Sequence, residues 1–475
     1  MNKQEKIILL LFSIFLLVEF LLFNDLPFFW DAISKANRAD WILTHQFSSL
    51  IVPTEINSGH PPLWITSIAI FWAIFGKTIW SARLLLLLVN LGVFYQIFLL
   101  AKKSFKENIS IYFVLLILIE PTLIAQTTSL NNDMLLLFFV LLGINSLFDN
   151  KQWLYTIAIS GMLLTNLRGI YTSLALIIIH IWLVKSHLLD YNKKMLKAYF
   201  IGFGGFVAFL FYQYTELGWY LVTKNKNYSS HREVAGIMLF AKNSAAFLKN
   251  LLEYGRLVIW IPLGILVLNF LRKKIFLKEN QSFRLLISLF VFSTIFFIGF
   301  VPFSNPMGPR YFLICYVLAT ILFINLLFVL EVSFVKKRIL LIGACLAFLT
   351  GHFWIYPSTI SQGWDSSLAY LNYYKQEELM LQYLKEEKIS FSKIGTNIPL
   401  NAKENATLNP FEKVTPKFIS LDVENNEFVL FSNIENQTDD DIINQLKISW
   451  TEVKTYSQLG VFITLYMNPK FNSQL

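Results

Sequence analysis

The chain of 475 residues contains 45 Phe, 12 Trp and only 15% charged residues, and its mean hydropathy of +0.53 is too high for a soluble globule. Its net charge of +9 would point to nucleic acid in a soluble protein, but here the basic residues are accounted for by loop topology and no soluble basic face is left to bind one. Composition therefore predicts a polytopic α-helical membrane protein.

Runs able to cross a hydrocarbon core of about 30 Å are expected near 6–23, 81–101, 109–126, 134–148, 153–166, 170–184, 195–213, 257–271, 284–302, 311–332 and 339–357. That makes a bundle of about 11 transmembrane helices. Lys3 and Lys6 precede the first run as in a signal peptide, but the run is long and no small-residue cleavage site follows, so it reads as a retained span.

A first loop, 24–80, separates the first two spans. Asn24 and Asp25 can cap a helix there, and Pro27 suits its first turn. Asp31, Ser34, Lys35 and Arg38 then share one helical face, while Phe28, Phe29, Ala32, Ile33 and Ala36 share the other. This predicts an interfacial helix with its polar face toward water or a site; a plain connector with Asp31 paired to Lys35 is the competing reading. In SGHPPLW two prolines hold the His60 backbone extended before a new apolar stretch. A lone His is as readily a structural residue as a ligand or base. The stretch 61–76 reads as a juxtamembrane helix, because counting it as a crossing would invert every later loop.

With the N-terminus in the cytoplasm, every even-numbered span ends there. Those ends read KKSFK from Lys102, DNK from Asp149, KSHLLDYNKK from Lys185, RKKIFLK from Arg272 and VKKR from Val335, basic as the positive-inside rule requires. The outer face receives the first loop, QTTSLNND ending at Asp133, NLRG around Arg168, the loop 214–256, SNPMGPR before Tyr311, and the C-terminal tail. The spans 134–148 and 153–166 are short and are expected to be tilted or shielded by protein.

Glu120 sits near the outer half of a span and is expected to pair with an arginine that the sequence does not specify. Asp133 is placed either to cap the helix that follows or to serve a site. The loop 214–256 contains TKNKNYSSHREV, with Lys224, Lys226, His231 and Arg232; it reads as a solvated basic loop, or as one that closes over an anion. Cys315 and Cys345 lie in apolar runs and are expected to be core residues. From 358 to 475 the chain turns polar, with a helix-like segment at 366–387 and strand-like EFVLFSNI and GVFITLYM. This is expected to be a small extracytoplasmic α+β domain, distinct from the transmembrane domain 1–357.

Trp30-Asp31 in the first outer loop, His60-Pro61-Pro62-Leu63 before a juxtamembrane helix, an Asn-Asp pair closing the next outer loop at Asp133, and Pro309-Arg310-Tyr311 opening a later span together resemble the GT-C membrane glycosyltransferases. The resemblance is to the protein O-mannosyltransferase and aminoarabinose transferase group, glycosyltransferase family 39, over about residues 6–357. Ala32 stands where that family often has a second acid.

The resemblance implies a GT-C-like bundle in a bacterial inner membrane. Its active site would face the extracytoplasmic side and transfer a sugar, with inversion, from a polyprenyl-phosphate donor to a hydroxyl of a lipid, glycan or protein acceptor. Asp31 would be the general base, with Asp133 as a second catalytic carboxylate. Arg310, Arg168 and Tyr311 would meet the donor phosphate, although both arginines also suit snorkelling to the interface. Glu55 and His60 would contact substrate or, with Asp133, hold an optional divalent metal. Two other readings compete. A secondary transporter would show duplicated halves and polar residues at mid-membrane depth. A non-catalytic envelope assembly factor would need its tail and not Asp31, whereas the transferase reading predicts the reverse.

Overall fold

The computed structural model describes residues 2–105, 109–358, 360–397, 399–401 and 417–474. Helices occupy all eleven expected span positions. Six are long and apolar enough to cross a membrane: Lys3–Phe23, Ile79–Ser104, Arg168–Lys185, Lys193–Leu217, Asn280–Phe300 and Pro309–Val329. The number rises to eight if two bent pairs each count as one span, so helix length and composition alone do not reach the expected eleven. The shortfall has local causes. Gln152–Thr165 has 14 residues, about 21 Å of helix. Asp133–Phe148 is also short but is buried along nearly its whole length. Phe334–Gly351 carries Lys336, Lys337 and Arg338 in its first turns.

The helix Leu63–Phe75 has 13 residues, too few to cross. It packs against Asp31–Thr44, and its Trp64 donates an indole hydrogen bond to the Leu130 carbonyl at 3.2 Å. The capping expected of Asn24 and Asp25 does not occur. Asn24 ends the first helix, its amide donating to the Leu21 carbonyl at 3.0 Å, and the next helix begins only at Asp31. Nor is the apolar face of that helix free to lie on a bilayer, because Ala32, Ile33, Ala36, Ala39 and Ile42 are buried in the bundle core.

The bent pairs show how the bundle accommodates polar groups. Ile111–Leu118 and Pro121–Thr128 meet at 55°, with Glu120 between them. Pro121 sets the start of the second half, and the Glu120 carboxylate accepts from the Leu123 amide at 2.5 Å. The same carboxylate accepts from Arg256 Nε at 2.6 Å, which answers the question of Glu120's partner. Arg256 also lies 3.7 Å over the Tyr316 ring. The second pair, Ile237–Leu252 and Leu257–Arg272, turns by 92° just before Arg256. The helix Ile237–Leu252 occupies a stretch expected to be loop; it buries Phe247 and Leu251 while leaving Ile237 and Met238 exposed.

The C-terminal region holds a five-stranded sheet, β1 (Ile394–Thr396), β2 (Ile419–Ser420), β3 (Phe428–Ser432), β4 (Thr451–Gln458) and β5 (Val461–Met467), in the order β2-β1-β3-β5-β4. β1 runs parallel to β2 and β3, while β5 is antiparallel to β3 and β4. Leu459 and Gly460, both at positive φ, form the two-residue turn between β4 and β5. The alternation of β3 buries both faces: Leu430 faces the helix Asn372–Glu386, and Val429 and Phe431 face Asp440–Ser449. The Leu430 face also packs with Phe29, Trp30, Trp364 and Tyr370. The sheet's core is therefore continuous with the residues just before Asp31.

Glu120 and Arg256 have side chains only 1% and 2% exposed. Arg256→Met should cost roughly 3–5 kcal/mol, because it strands a buried carboxylate. Glu120→Gln/Arg256→Met should lose less than the two single changes summed. Thermal unfolding in detergent, followed by tryptophan fluorescence, measures both.

Candidate active site

At one end of the bundle the chain brings together the starts of four helical elements and one turn of the C-terminal region. Asp31 is the first residue of Asp31–Thr44, following Trp30 at φ 46°. Positive φ in a bulky residue stores about 1–3 kcal/mol of strain, and such strain collects at functional sites. Asp133 likewise opens Asp133–Phe148, and Arg168 opens Arg168–Lys185. Arg310 lies in the 3₁₀ turn Pro309–Phe312, and Asp365 in the turn Trp364–Ser366.

Arg310 joins these elements. Its guanidinium hydrogen-bonds the carboxylates of Asp31 and Asp365, and its Nε lies 3.7 Å from Asp133. Arg168 takes the other oxygen of Asp133 at 2.6 Å and stacks 3.9 Å over the Tyr311 ring. Lys35 Nζ is 3.8 Å from Asp31 Oδ2 and donates to Asn131 Oδ1 at 3.1 Å. Asn131 in turn donates to Asp365 Oδ2 at 3.0 Å. Asp31, Lys35, Asn131, Asp365 and Arg310 thus form a closed ring, from which Asp133 and Arg168 branch at Arg310. The capping role considered for Asp133 is not the one it has, since its carboxylate lies between two arginines.

Beside this network is a cavity of about 390 Å³. Its polar wall includes Asp31, Ser34, Lys35, Arg38, His60 and Arg232, and its apolar wall includes Ile170, Tyr171, Phe300 and Phe303. Arg38 and Arg232 differ from the other arginines here, because among the described residues neither forms an ion pair. Arg38 donates to the Ser34 carbonyl at 3.0 Å and to the Ser58 hydroxyl. Arg232 donates to the Leu221 carbonyl at 3.1 Å and approaches the Ser58 carbonyl at 3.5 Å. Gly59, at φ 77°, makes that approach possible, since a Cβ there would lie 3.1 Å from the Arg232 guanidinium. The cavity therefore carries two guanidiniums outside any direct ion pair among the described residues, and an apolar wall beside them.

The titratable groups respond to this field. Burial works to raise the Asp31 carboxyl, but Lys35, Arg310 and Arg38 outweigh it and hold the group below the usual carboxylate range. The Asp31 side chain is nonetheless 51% exposed, because it faces the open cavity. Burial lowers His60 well below its ordinary value, with Arg232, Arg168, Arg38 and Lys35 adding to the effect. His60 is therefore neutral near pH 7, and its Nδ1 is buried without a hydrogen-bond partner among the described residues. Asp365 is raised by burial, against the pull of Arg310 and with the push of Asp31 and Asp133.

Of the residues expected from sequence, Asp31, His60, Arg168, Arg310 and Tyr311 line the cavity, and Asp133 stands directly behind Arg168 and Arg310. Glu55 does not join them. It is exposed and absent from the cavity wall, and only its backbone carbonyl is engaged, by Asn225 at 2.8 Å. The expected Glu55–His60 ligand pair is not formed, and no group of three or more His, Cys, Asp or Glu among the described residues is arranged for a metal. From TKNKNYSSHREV, His231 and Arg232 reach the cavity. Asp365 was not anticipated, and no motif surrounds it in QGWDSS. Asn131 sits in the noted NND but was not singled out.

Residues 59–212 match the family described as dolichyl-phosphate-mannose-protein mannosyltransferase. Over 96% of its length the chain shares the fold of ArnT from Cupriavidus metallidurans in the apo state, covering 97% of that chain at 11% identity with a TM-score of 0.52. The crystal structure of the same protein bound to undecaprenyl phosphate aligns over 96% and 97% of the two chains, at 12% identity and a TM-score of 0.47. No curated protein matches the sequence. The family match and the apo fold support the resemblance to GT-C glycosyltransferases drawn from Trp30-Asp31, His60-Pro61-Pro62-Leu63 and Asp133.

Lys35 supplies a pH test of the cavity. Burial pushes its amine down to about 8, against Asp31 and Asp133 and with Arg310 and Arg38. The amine is charged below that pH and neutral above it, so affinity for a dialkyl phosphate should fall between pH 7 and 9. Loss of one charge at this range is worth about 1 kcal/mol, roughly fivefold in affinity. Calorimetric titration of the native protein and Lys35→Met, which should lose the pH dependence, measures it.

Proposed function

We propose that the protein transfers a sugar from a polyprenyl-phosphate donor to an acceptor hydroxyl, inverting the anomeric centre. The observation that carries this reading is a cavity-facing carboxylate, Asp31, sharing the cavity with two guanidiniums that form no ion pair among the described residues, Arg38 and Arg232, with an apolar wall alongside. A lipid-linked phosphodiester matches that combination: the phosphate meets the guanidiniums in paired hydrogen bonds, and the first isoprene units meet Ile170, Phe300 and Phe303. The family signature over 59–212 adds that dolichyl-phosphate-mannose transferases act on a donor of this chemistry.

In the proposed reaction the acceptor oxygen attacks the anomeric carbon from the face opposite the phosphate and passes its proton to Asp31. The carbon–oxygen bond to phosphate breaks, and its electron pair leaves with the polyprenyl phosphate. Arg38 and Arg232 stabilise the charge gained by that leaving group, and Arg168 and Arg310 border it. The ion pairs of Asp31 all run through Oδ2. Oδ1 is the atom assigned to the incoming proton. His60, neutral and with an unpartnered nitrogen, is assigned to a sugar or acceptor hydroxyl.

The basic ends of the even-numbered spans support a cytoplasmic N-terminus. In this reading the cavity and the C-terminal region lie on the extracytoplasmic side of a bacterial inner membrane, with the division near residue 357. Eleven crossings are kept as part of the same reading, the short Gln152–Thr165 being shielded by Lys193–Leu217, against which Gly202 lets it pack closely.

Asp31→Asn keeps the side chain's size and removes the base. It should lower kcat by about 10²–10⁴ and leave donor affinity within a few-fold. Sugar release from a panel of radiolabelled polyprenyl-phosphate sugars, with purified protein in lipid and membrane extract as the acceptor source, measures this. Undiminished transfer by the well-folded variant would remove Asp31 as the base. Failure of the native protein to turn over any donor would remove the transferase reading.

A further inference from the structure

We propose that Asp365, in the C-terminal region, is a positioning residue for the base Asp31, acting through Arg310 and Asn131. The proposal rests on the transferase reading above and extends it to a part of the chain that reading does not use.

The geometry is a ring. Asp365 Oδ2 accepts from both Arg310 and Asn131. Arg310 goes on to Asp31, and Asn131 goes on to Lys35, whose amine lies beside Asp31 Oδ2 and donates to the Asp31 backbone carbonyl at 3.3 Å. Both cations that hold the base are therefore themselves held by one buried carboxylate, 5% exposed.

The turn that carries Asp365 is anchored independently of the ring. Gln126 donates to the Asp365 carbonyl at 2.7 Å, and Thr122 donates to the Ser366 carbonyl at 3.0 Å. Gly363 packs on Pro309, next to Arg310, where a Cβ would come within 2.6 Å of the proline ring. Tyr370 packs on Phe29 with ring centroids 4.8 Å apart, and the Tyr374 hydroxyl donates to the Pro27 carbonyl at 3.0 Å. The C-terminal region thus grips the strained segment before Asp31 from one side and its cationic partners from the other.

The electrostatic consequence has a definite sign. An Arg310 shared with Asp365 and Asp133 gives Asp31 less than its full charge, and the negative charge of Asp365 itself favours protonation of Asp31. The other charged groups facing Asp31 are Lys35 and Arg38 from its own helix and His231 from the neighbouring loop. Removing Asp365's charge concentrates Arg310 on Asp31 and makes the base weaker.

The test compares native protein with Asp365→Asn and Asp365→Glu. Asp365→Asn retains an acceptor for Asn131 and leaves Arg310 paired with Asp31 and Asp133, so it should still fold, with a lowered thermal midpoint. Its kcat should fall about tenfold to a hundredfold while donor KM stays within about twofold, and Asp365→Glu should recover part of the loss. In an Arg310→Gln background, Asp365→Asn should have little further effect. Carbodiimide labelling of Asp31, read by peptide mass spectrometry at fixed mildly acidic pH, tracks the protonated carboxyl without turnover. Asp365→Asn should slow it roughly threefold to tenfold, as a drop of half to one unit would. Unchanged labelling overturns the proposal, whether or not the native protein transfers sugar. So does a kcat loss equally large in the Arg310→Gln background. An inactive native protein with slowed labelling in Asp365→Asn would sink the transferase reading and leave the coupling standing.

Discussion

The arrangement depends on one guanidinium. Arg310 meets carboxylates from the first loop, from the start of Asp133–Phe148 and from the C-terminal turn. Arginine suits this place because its planar fork presents five donors and it does not lose its proton. A lysine could supply the charge and three donors, but only from one nitrogen, not from a planar fork spread over three. Burying the guanidinium, 12% exposed, carries a desolvation penalty of several kcal/mol that only well-placed partners offset. The residues at 31, 133, 310 and 365 must therefore arrive at the same point. The helices before and after them act as struts of fixed length that make this possible.

The same requirement explains why the C-terminal region is built into the bundle. The strand-like runs EFVLFSNI and GVFITLYM were legible as β3 and β5 from their short, β-branched and aromatic apolar character, although the structure buries both faces of β3 and nearly all of β5. The docking of that region was not legible. Trp364, Tyr370 and Tyr373 read as the apolar residues of a small core, and nothing in their spacing distinguishes a partner inside the tail from Phe29, more than 300 residues earlier. Asp365 escaped for a related reason: an isolated Asp in a polar tail looks like a solvated residue until the arginine it faces is known.

Near the first loop the sequence was more informative, because the chemistry there is local. The face made by Asp31, Ser34, Lys35 and Arg38 follows from helical spacing, and those four residues do share the cavity wall. Glu55 and His60, offered together for substrate or an optional metal, are not brought together. The segment between them is irregular, with Gly59 at positive φ, so five residues of separation set no common direction. The helix Ile237–Leu252 was not expected, although Phe240, Phe247 and Leu251 mark an apolar stripe of helical period, because the basic run before it gives the segment the look of a solvated loop.

Charge accounting separates two tasks that the motifs alone had merged. Arg168 and Arg310 were the expected phosphate ligands, yet with Lys35 they face Asp31, Asp133 and Asp365, three charges against three. Arg38 and Arg232 hydrogen-bond neutral oxygens and form no ion pair among the described residues, although Arg38 acts on Asp31 through space. A group that must stabilise a leaving phosphate acts best when no carboxylate already neutralises it. A base acts best when no single cation captures it. Under the proposed transferase reading, keeping Lys35, Arg168 and Arg310 among the carboxylates and Arg38 and Arg232 outside direct ion pairs in the same cavity would serve both tasks, which one shared cluster of the same residues would not.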